Sequence, residues 1–200
     1  YVEQGFDRDA LTEELEVLVI GGGFGGMLAA ARLIEQGITD IKIIEKGGGF
    51  GGTWYWNRYP GASCDIESYV YLPMLEETGF VPRQKYTDAP ETLAYCQVLA
   101  EKFGLNDLAL MQTEVVSTEW DETTRRWTVT TNRQDNLKAR YVVHSNGPLN
   151  RPKLPAIKGI GDYKGHTFHT SRWDYDYTGG NSHGGLDKLA DKRIAIIGTG

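Results

Sequence analysis

Three glycines spaced as Gly21-x-Gly23-x-x-Gly26 and an acidic residue at Glu45 are the residues whose types and spacing suit the binding of a nucleotide. Glycines at this spacing let the backbone, including Phe24 within the turn, come close to a pyrophosphate. The N–H groups and dipole of a helix that follows attract the same charge. Glu45 stands 24 positions after Gly21, near the ~20-residue separation at which a carboxylate binds a ribose hydroxyl. A carboxylate there repels a 2′-phosphate, so this first site suits FAD or NAD better than NADP.

A strand, a turn, a helix and a second strand are needed to hold that set, and the pattern supplies them. Residues 17–20 are β-branched-rich and enter the glycine turn directly. Phe24, Met27, Leu28, Ala31 and Ile34 then recur at spacings of three and four, a helix burying one face, with Gly37 ending it. Residues 41–44 form the second strand, with Glu45 at its end. Further on, residues 115–120, 126–131 and 137–145 read as three strands joined by the polar turns 121–124 and 132–136, a β-meander.

Between these elements, Gly47-Gly48-Gly49-Phe50-Gly51-Gly52 feeds a dense aromatic run, Thr53-Trp54-Tyr55-Trp56-Asn57-Arg58-Tyr59-Pro60. Trp and Tyr are most often core residues; the alternative is that they wall a flat apolar ring system, with Asn57 and Arg58 adding polar contacts. Arg58 reads equally as a surface charge. Asp65 reads either as a solvated loop carboxylate, the usual fate of aspartate, or as a functional group. Cys64 beside it has no paired base in sequence and reads as a packed residue.

Composition narrows the function classes. The 200 residues are 40% hydrophobic and 24% charged, enough for a packed core. The net charge of −6, without a basic run, argues against a nucleic-acid or anionic-membrane partner. No run approaches the roughly 20 apolar residues of a membrane span, and no basic-then-apolar leader is visible. Cys64 and Cys96 form no CxxC pair and no metal-ligand cluster, so the expectation is a reducing cytoplasmic setting and no metal.

Residues 51–65, GGTWYWNRYPGASCD, resemble the flavin-lining segment of the Baeyer–Villiger monooxygenases, class B flavoproteins. The resemblance implies that Gly52, Thr53 and Trp54 contact FAD and that Asp65 lies by the flavin and nicotinamide, orienting an arginine later in the chain. It also implies FAD contacts at Tyr71 and Val115, and places Gly147 in the family's A-T/S-G turn. His144 departs from the pattern, where a small residue is common, as does Pro148 after Gly147.

Residues 163–174 resemble the family fingerprint FxGxxxHxxxW followed by Pro or Asp, through Tyr163 in place of Phe, Gly165, His169, Trp173 and Asp174. His169 reads as a hydrogen-bonding strut of an interdomain linker rather than a redox or proton-transfer group. Residues 193–200 resemble the buried strand and opening of a second, NADP-binding fingerprint, with Gly198, Thr199 and Gly200 present.

The expected organisation is an N-terminal extension (1–15), an FAD-binding α/β domain (16–150) of three-layer, Rossmann-like form with parallel sheet and inserted meander, a linker (151–190), and the start of an NADP-binding Rossmann-like domain (191–200). The resemblance implies that NADPH reduces FAD, that reduced flavin and O₂ give a C4a-peroxyflavin, and that this adds to a ketone to yield an ester or lactone. The rivals are a flavin N- or S-monooxygenase, a disulfide-reductase-type flavoprotein, for which Cys64 and Cys96 are far apart, and a non-catalytic flavin-binding module.

Overall fold

The computed structural model describes residues 1–198. The strands are β1 (Thr12–Ile20), β2 (Ile41–Ile44), β3 (Ala109–Leu110), β4 (Val115–Asp121), β5 (Arg126–Thr131) and β6 (Asn136–His144). They form one mixed sheet in the order β3-β2-β1-β6-β5-β4. β3, β2, β1 and β6 run parallel, and β6, β5 and β4 are antiparallel. The meander is thus continuous with the sheet, and β6 serves both halves. It lies beside β1 from Thr12↔Asn136 to Ile20↔His144.

Val17, Leu18, Val19 and Ile20 are all buried, as an unbroken apolar strand with covered faces must be. One face carries α1 (Phe24–Glu35) and α5 (Ala89–Lys102). Met27, Ala30 and Ala31 of α1 pack with Tyr95, Cys96, Leu99 and Ala100 of α5 over Val17, Val19 and Ile43. The helical period of α1 is as expected, but Leu28 points outward and is 36% exposed; the small residues Gly26, Ala30 and Ala31 bring the helix close to the strand instead. The other face is closed by a second cluster that joins Leu18 and Ile44 to Val129, Leu137 and Ala139 of the meander.

α5 starts where Asp88 accepts a hydrogen bond from the Glu91 N–H at 2.8 Å, with Pro90 in its first turn. The short helices α2 (Thr53–Trp56), α3 (Ser68–Tyr71), α4 (Leu75–Thr78) and α6 (Tyr175–Thr178) shape the connections.

Two devices fix the glycine turn. Gly21 has φ +110°, and a side chain there would collide with the Ser145 carbonyl oxygen. A side chain on Gly26 would collide with the Gly21 carbonyl oxygen, so only glycine lets α1 sit this close to the turn.

The residues ahead of β1 are fastened to the meander. Both terminal nitrogens of Arg8 donate to the buried Asp135 carboxylate, at 2.7 and 2.6 Å, and Arg133 donates to the Phe6 carbonyl at 2.6 Å. Burial disfavours ionisation of Asp135, but the bonds from Arg8, Thr131 and the Leu11 N–H outweigh it and hold the pKa at about 2.

Residues 193–197, expected as a buried strand, belong to no strand or helix among the described residues, and Ile194, Ile196 and Ile197 are 57%, 70% and 67% exposed. A parallel strand draws its hydrogen bonds and cover from neighbours, and none is present here. Thr199 and Gly200, expected in the second fingerprint, lie outside the described residues.

Asp135→Ala leaves Arg8 without its buried partner and should lower unfolding free energy by about 3 kcal/mol in denaturant titrations. In wild type the folded pKa lies below the ordinary 3.8, so the carboxylate's contribution is complete above that value and lost as pH falls toward about 2; the variant should lack this acid-dependent step. Gly26→Ala should destabilise the turn by roughly 2–4 kcal/mol, whereas Gly25→Ala, whose added carbon meets Ser145 at an ordinary 3.5 Å, should melt near wild type.

Candidate functional site

The chain runs outward from β1 to β2 and β3, then returns to the other side of β1 as β6. Ligands bind where strand order reverses, outside the carboxyl ends of the strands. A cleft of ≈ 510 Å³ opens at that point, within the ordinary size range of ligand sites. Its wall includes Ile20 and Gly21 after β1, Glu45 and Lys46 after β2, and residues 145–151 after β6.

The glycine turn and α1 form its floor. Gly21, Gly23, Phe24 and Gly25 line the cleft. The N-terminus of α1 has no side-chain cap and no acidic residue in its first turn. Its free N–H groups and the positive end of its dipole therefore remain available to an anion. Gly26 lies beneath, as the packing residue already described.

Glu45 is 5% exposed. One carboxylate oxygen accepts the Gly22 N–H and the other the Gly47 N–H, each at 2.6 Å. The carboxylate thus joins the first glycine turn to the start of the second glycine loop while remaining part of the cleft wall. The Gly51 N–H adds a bond to the Gly22 carbonyl at 2.9 Å, seating Gly51 and Gly52 beside the turn.

The aromatic segment divides its labour. Trp54 and Trp56 line the cleft with Gly52, Thr53 and Tyr71. The Trp54 indole donates to the Tyr71 hydroxyl at 2.9 Å, with the rings edge to face; burial raises the Tyr71 pKa, keeping the phenol protonated. Tyr55 instead packs under the second glycine loop, where its hydroxyl accepts the Gly48 N–H at 2.8 Å. Asn57 and Arg58 lie off the cleft wall. Asn57 donates to the Thr53 and Leu149 carbonyls at 2.9 Å each, and the Arg58 guanidinium stacks on Tyr55 at 4.4 Å.

Val115 and Gly147 also line the cleft, so it gathers Gly21, Gly23, Phe24, Glu45, Gly52, Thr53, Trp54, Tyr71, Val115 and Gly147. Residues that the sequence reading did not single out join them: Lys46, Glu114, Ser145, Leu149, Asn150 and Arg151. Their common signal is position just after a parallel strand or beside one. Arg151 pairs with Glu114 at 2.8 Å, and burial together with the Arg151 charge lowers the Lys46 pKa.

Other expected residues lie apart. Asp65 is exposed and outside the cleft wall. Cys64 and Cys96 are both free and buried, and burial pushes the Cys96 thiol far up. In the linker, His169 Nδ1 accepts from the Ser171 N–H at 3.1 Å, ordering a single 3₁₀ turn, Thr170–Arg172. Trp173 donates to Thr178 at 2.9 Å, and Asp174 caps α6 while pairing with His166 at 2.8 Å. Tyr163 is exposed, and a side chain at Gly165 would meet its ring.

No described helix is long and apolar enough to cross a membrane. A model of the family described as pyridine nucleotide-disulphide oxidoreductase matches residues 18–181. A Baeyer–Villiger monooxygenase of Streptomyces coelicolor is 54% identical over 96% of this chain and 32% of its own length. The polycyclic ketone monooxygenase of the thermophilic fungus Thermothelomyces thermophila superposes with a TM-score of 0.94 at 39% identity, over 100% of this chain and 34% of that one. OTEMO, solved in complex with FAD and NADP, gives a TM-score of 0.75 at 33% identity over 82% of this chain and 33% of that one. The chain spans about a third of the length of the curated relatives it matches. It belongs to the pyridine nucleotide-disulphide oxidoreductase family, and its relatives include Baeyer–Villiger monooxygenases.

Proposed function

We propose that this chain is the FAD-binding portion of an NADPH- and O₂-dependent monooxygenase that inserts one oxygen atom beside a ketone carbonyl to give an ester or lactone. The observation that carries the reading is the cleft itself: the 51–65 segment supplies Gly52, Thr53 and Trp54 to a wall shared with Glu45 and an uncapped helix end. The solved relative bound to FAD and NADP supports it.

The residues present fit FAD. The N–H groups at the start of α1 would receive the pyrophosphate, and glycine at 21 and 23 leaves the approach open. Glu45 would accept from the ribose hydroxyls, with Val115 beside the adenosine. Thr53, Trp54, Tyr71 and Gly147 would border the isoalloxazine. FAD, when bound, supplies the redox chemistry that joins NADPH, O₂ and ketone. The chain's own part is to hold the ring against an apolar wall and to exclude water, which would divert reduced oxygen to hydrogen peroxide.

Asp65 would act from its exposed loop by orienting an arginine later in the protein than residue 200. Gly198, Thr199 and Gly200 would open the NADPH site, and residues 163–174 would link the FAD unit to it from the segment 151–190; the unit expected to begin at residue 16, after an extension of 1–15, takes in β1 from Thr12, whose pairing with β6 draws residues 12–15 into the sheet. A cytoplasmic setting belongs to the same reading.

Glu45→Ala removes a charged acceptor and frees both glycine loops, so FAD retention after gel filtration, read from flavin absorbance, should fall at least about tenfold. The activity itself is tested by incubating the full-length protein with NADPH, ¹⁸O₂ and a panel of cyclic, linear and aryl ketones. An ester or lactone carrying one labelled oxygen is expected. Oxidised sulfides or amines without any ester would instead make it a heteroatom-oxidising flavoenzyme, and bound flavin without NADPH consumption a binding module.

A further inference from the structure

The two lips of the cleft, α2 on one side and residues 145–151 on the other, are not joined by sheet or helix. One side chain from the linker bridges them. The Arg172 guanidinium lies 4.3 Å from the centre of the Trp56 ring and donates to the Trp56 carbonyl at 3.4 Å and to the Asn150 carbonyl at 2.9 Å. Trp56 and Asn150 both line the cleft.

Arg172 pairs with no carboxylate among the described residues. Its desolvation is offset by carbonyl oxygens and a ring face, an arrangement that uses the planar fork of arginine rather than charge alone. Asn150 extends the bridge inward. Its Nδ2 donates to the Asn146 and Gly147 carbonyls, 3.0 Å each, and its Oδ1 accepts from Lys46 Nζ at 2.5 Å. A chain of polar contacts therefore runs from the linker, through Arg172 and Asn150, to the glycine turn after β6 and to the residue beside Glu45.

We propose that Arg172 and Asn150 are a positioning pair that staples the lips of the cleft and governs release of FAD, so that docking of the linker sets how tightly the cofactor is held. The inference rests on the reading of the cleft as an FAD site. Neither residue is assigned a chemical step. Asn57, which also joins the lips through the Leu149 carbonyl, is a parallel tie from within the domain; Arg172 is the tie that the linker controls.

The test is the rate of FAD release from the full-length protein, followed by recovery of free-flavin fluorescence on dilution, with visible circular dichroism of the bound flavin as a second readout. Arg172→Ala and Asn150→Ala should each speed release about tenfold, the loss of roughly one charge-assisted hydrogen bond, and should alter the bound-flavin dichroism. Asn150→Ala keeps the backbone carbonyl that Arg172 contacts and breaks only the inner link of the chain; because either break opens a staple whose links act in series, the doubly substituted protein should release FAD no faster than either single variant. Arg172→Lys, whose ammonium reaches one carbonyl and not both, should fall between wild type and alanine; it also serves if the alanine variant fails to fold. Wild-type release rates in the Arg172 variants, or effects that multiply to about a hundredfold in the double variant, overturn the inference while leaving the FAD site intact. A wild-type protein that holds no flavin overturns the underlying reading, and the inference with it.

Discussion

The buried carboxylate of Glu45 is the interaction on which the cleft depends. Two loops of high glycine content leave adjacent parallel strands at the same edge, and glycine loops have the most backbone freedom to lose. Glu45 removes that freedom by accepting one N–H from each loop. A buried carboxylate with two short charged hydrogen bonds is well compensated, and it fixes the separation of the two loops as a rigid spacer. The Gly51 bond to the Gly22 carbonyl, the seating of Thr53 and Trp54 and the placement of Tyr55 under Gly48 all follow from that spacing. A single residue is thus both the frame of the site and part of its surface.

Around this frame the chain uses two kinds of rigidity. The floor is set by regular structure: parallel strands covered on both faces and a helix brought close by small residues. The lips, the single-turn helix α2 and the irregular segment 145–151, are held by side chains that donate to backbone carbonyls, as Asn57 and Asn150 do. Regular structure resists local opening more strongly than loops fastened by a few exposed bonds. The floor is therefore the permanent part of the site, and the lips are the part whose geometry responds to what docks against them.

Much of this was legible because it is locally encoded. The strand at 17–20, the turn at 21–26, the helix after it and the strand at 41–44 are all signalled by short-range patterns, and the structure contains each, though the first strand starts at Thr12, where pairing with β6 rather than an apolar run extends it. The meander strands came from alternation and polar turns. What escaped was of two kinds. Helix α5 carried a readable start, Asp88 three residues before Glu91 with Pro90 between, yet its apolar face is interrupted and gave no strong period. The Arg8 to Asp135 pair, the cleft roles of Asn150 and Arg151 and the outward turn of Leu28 have no local signature, because each is decided by what the folded chain brings alongside: Asp135 lies 127 residues from Arg8, Lys46 104 from Asn150 and Glu114 37 from Arg151.

The pairing of β1 with β6 sets the order in which the molecule can be completed. β1 is the central strand, yet its neighbour on one side begins at residue 136, so the register Thr12↔Asn136 closes a loop that contains nearly all of the intervening fold. Contacts of such long range form late and slow the search for the native state. On the ribosome, at roughly 5–20 residues per second, the strand waits on the order of 6–25 s before its partner is synthesised. During that interval one edge of a four-residue apolar run, Val17-Leu18-Val19-Ile20, is unpaired, and the nascent chain depends on the early β1, α1 and β2 unit, or on a chaperone, to keep that edge from pairing with another copy.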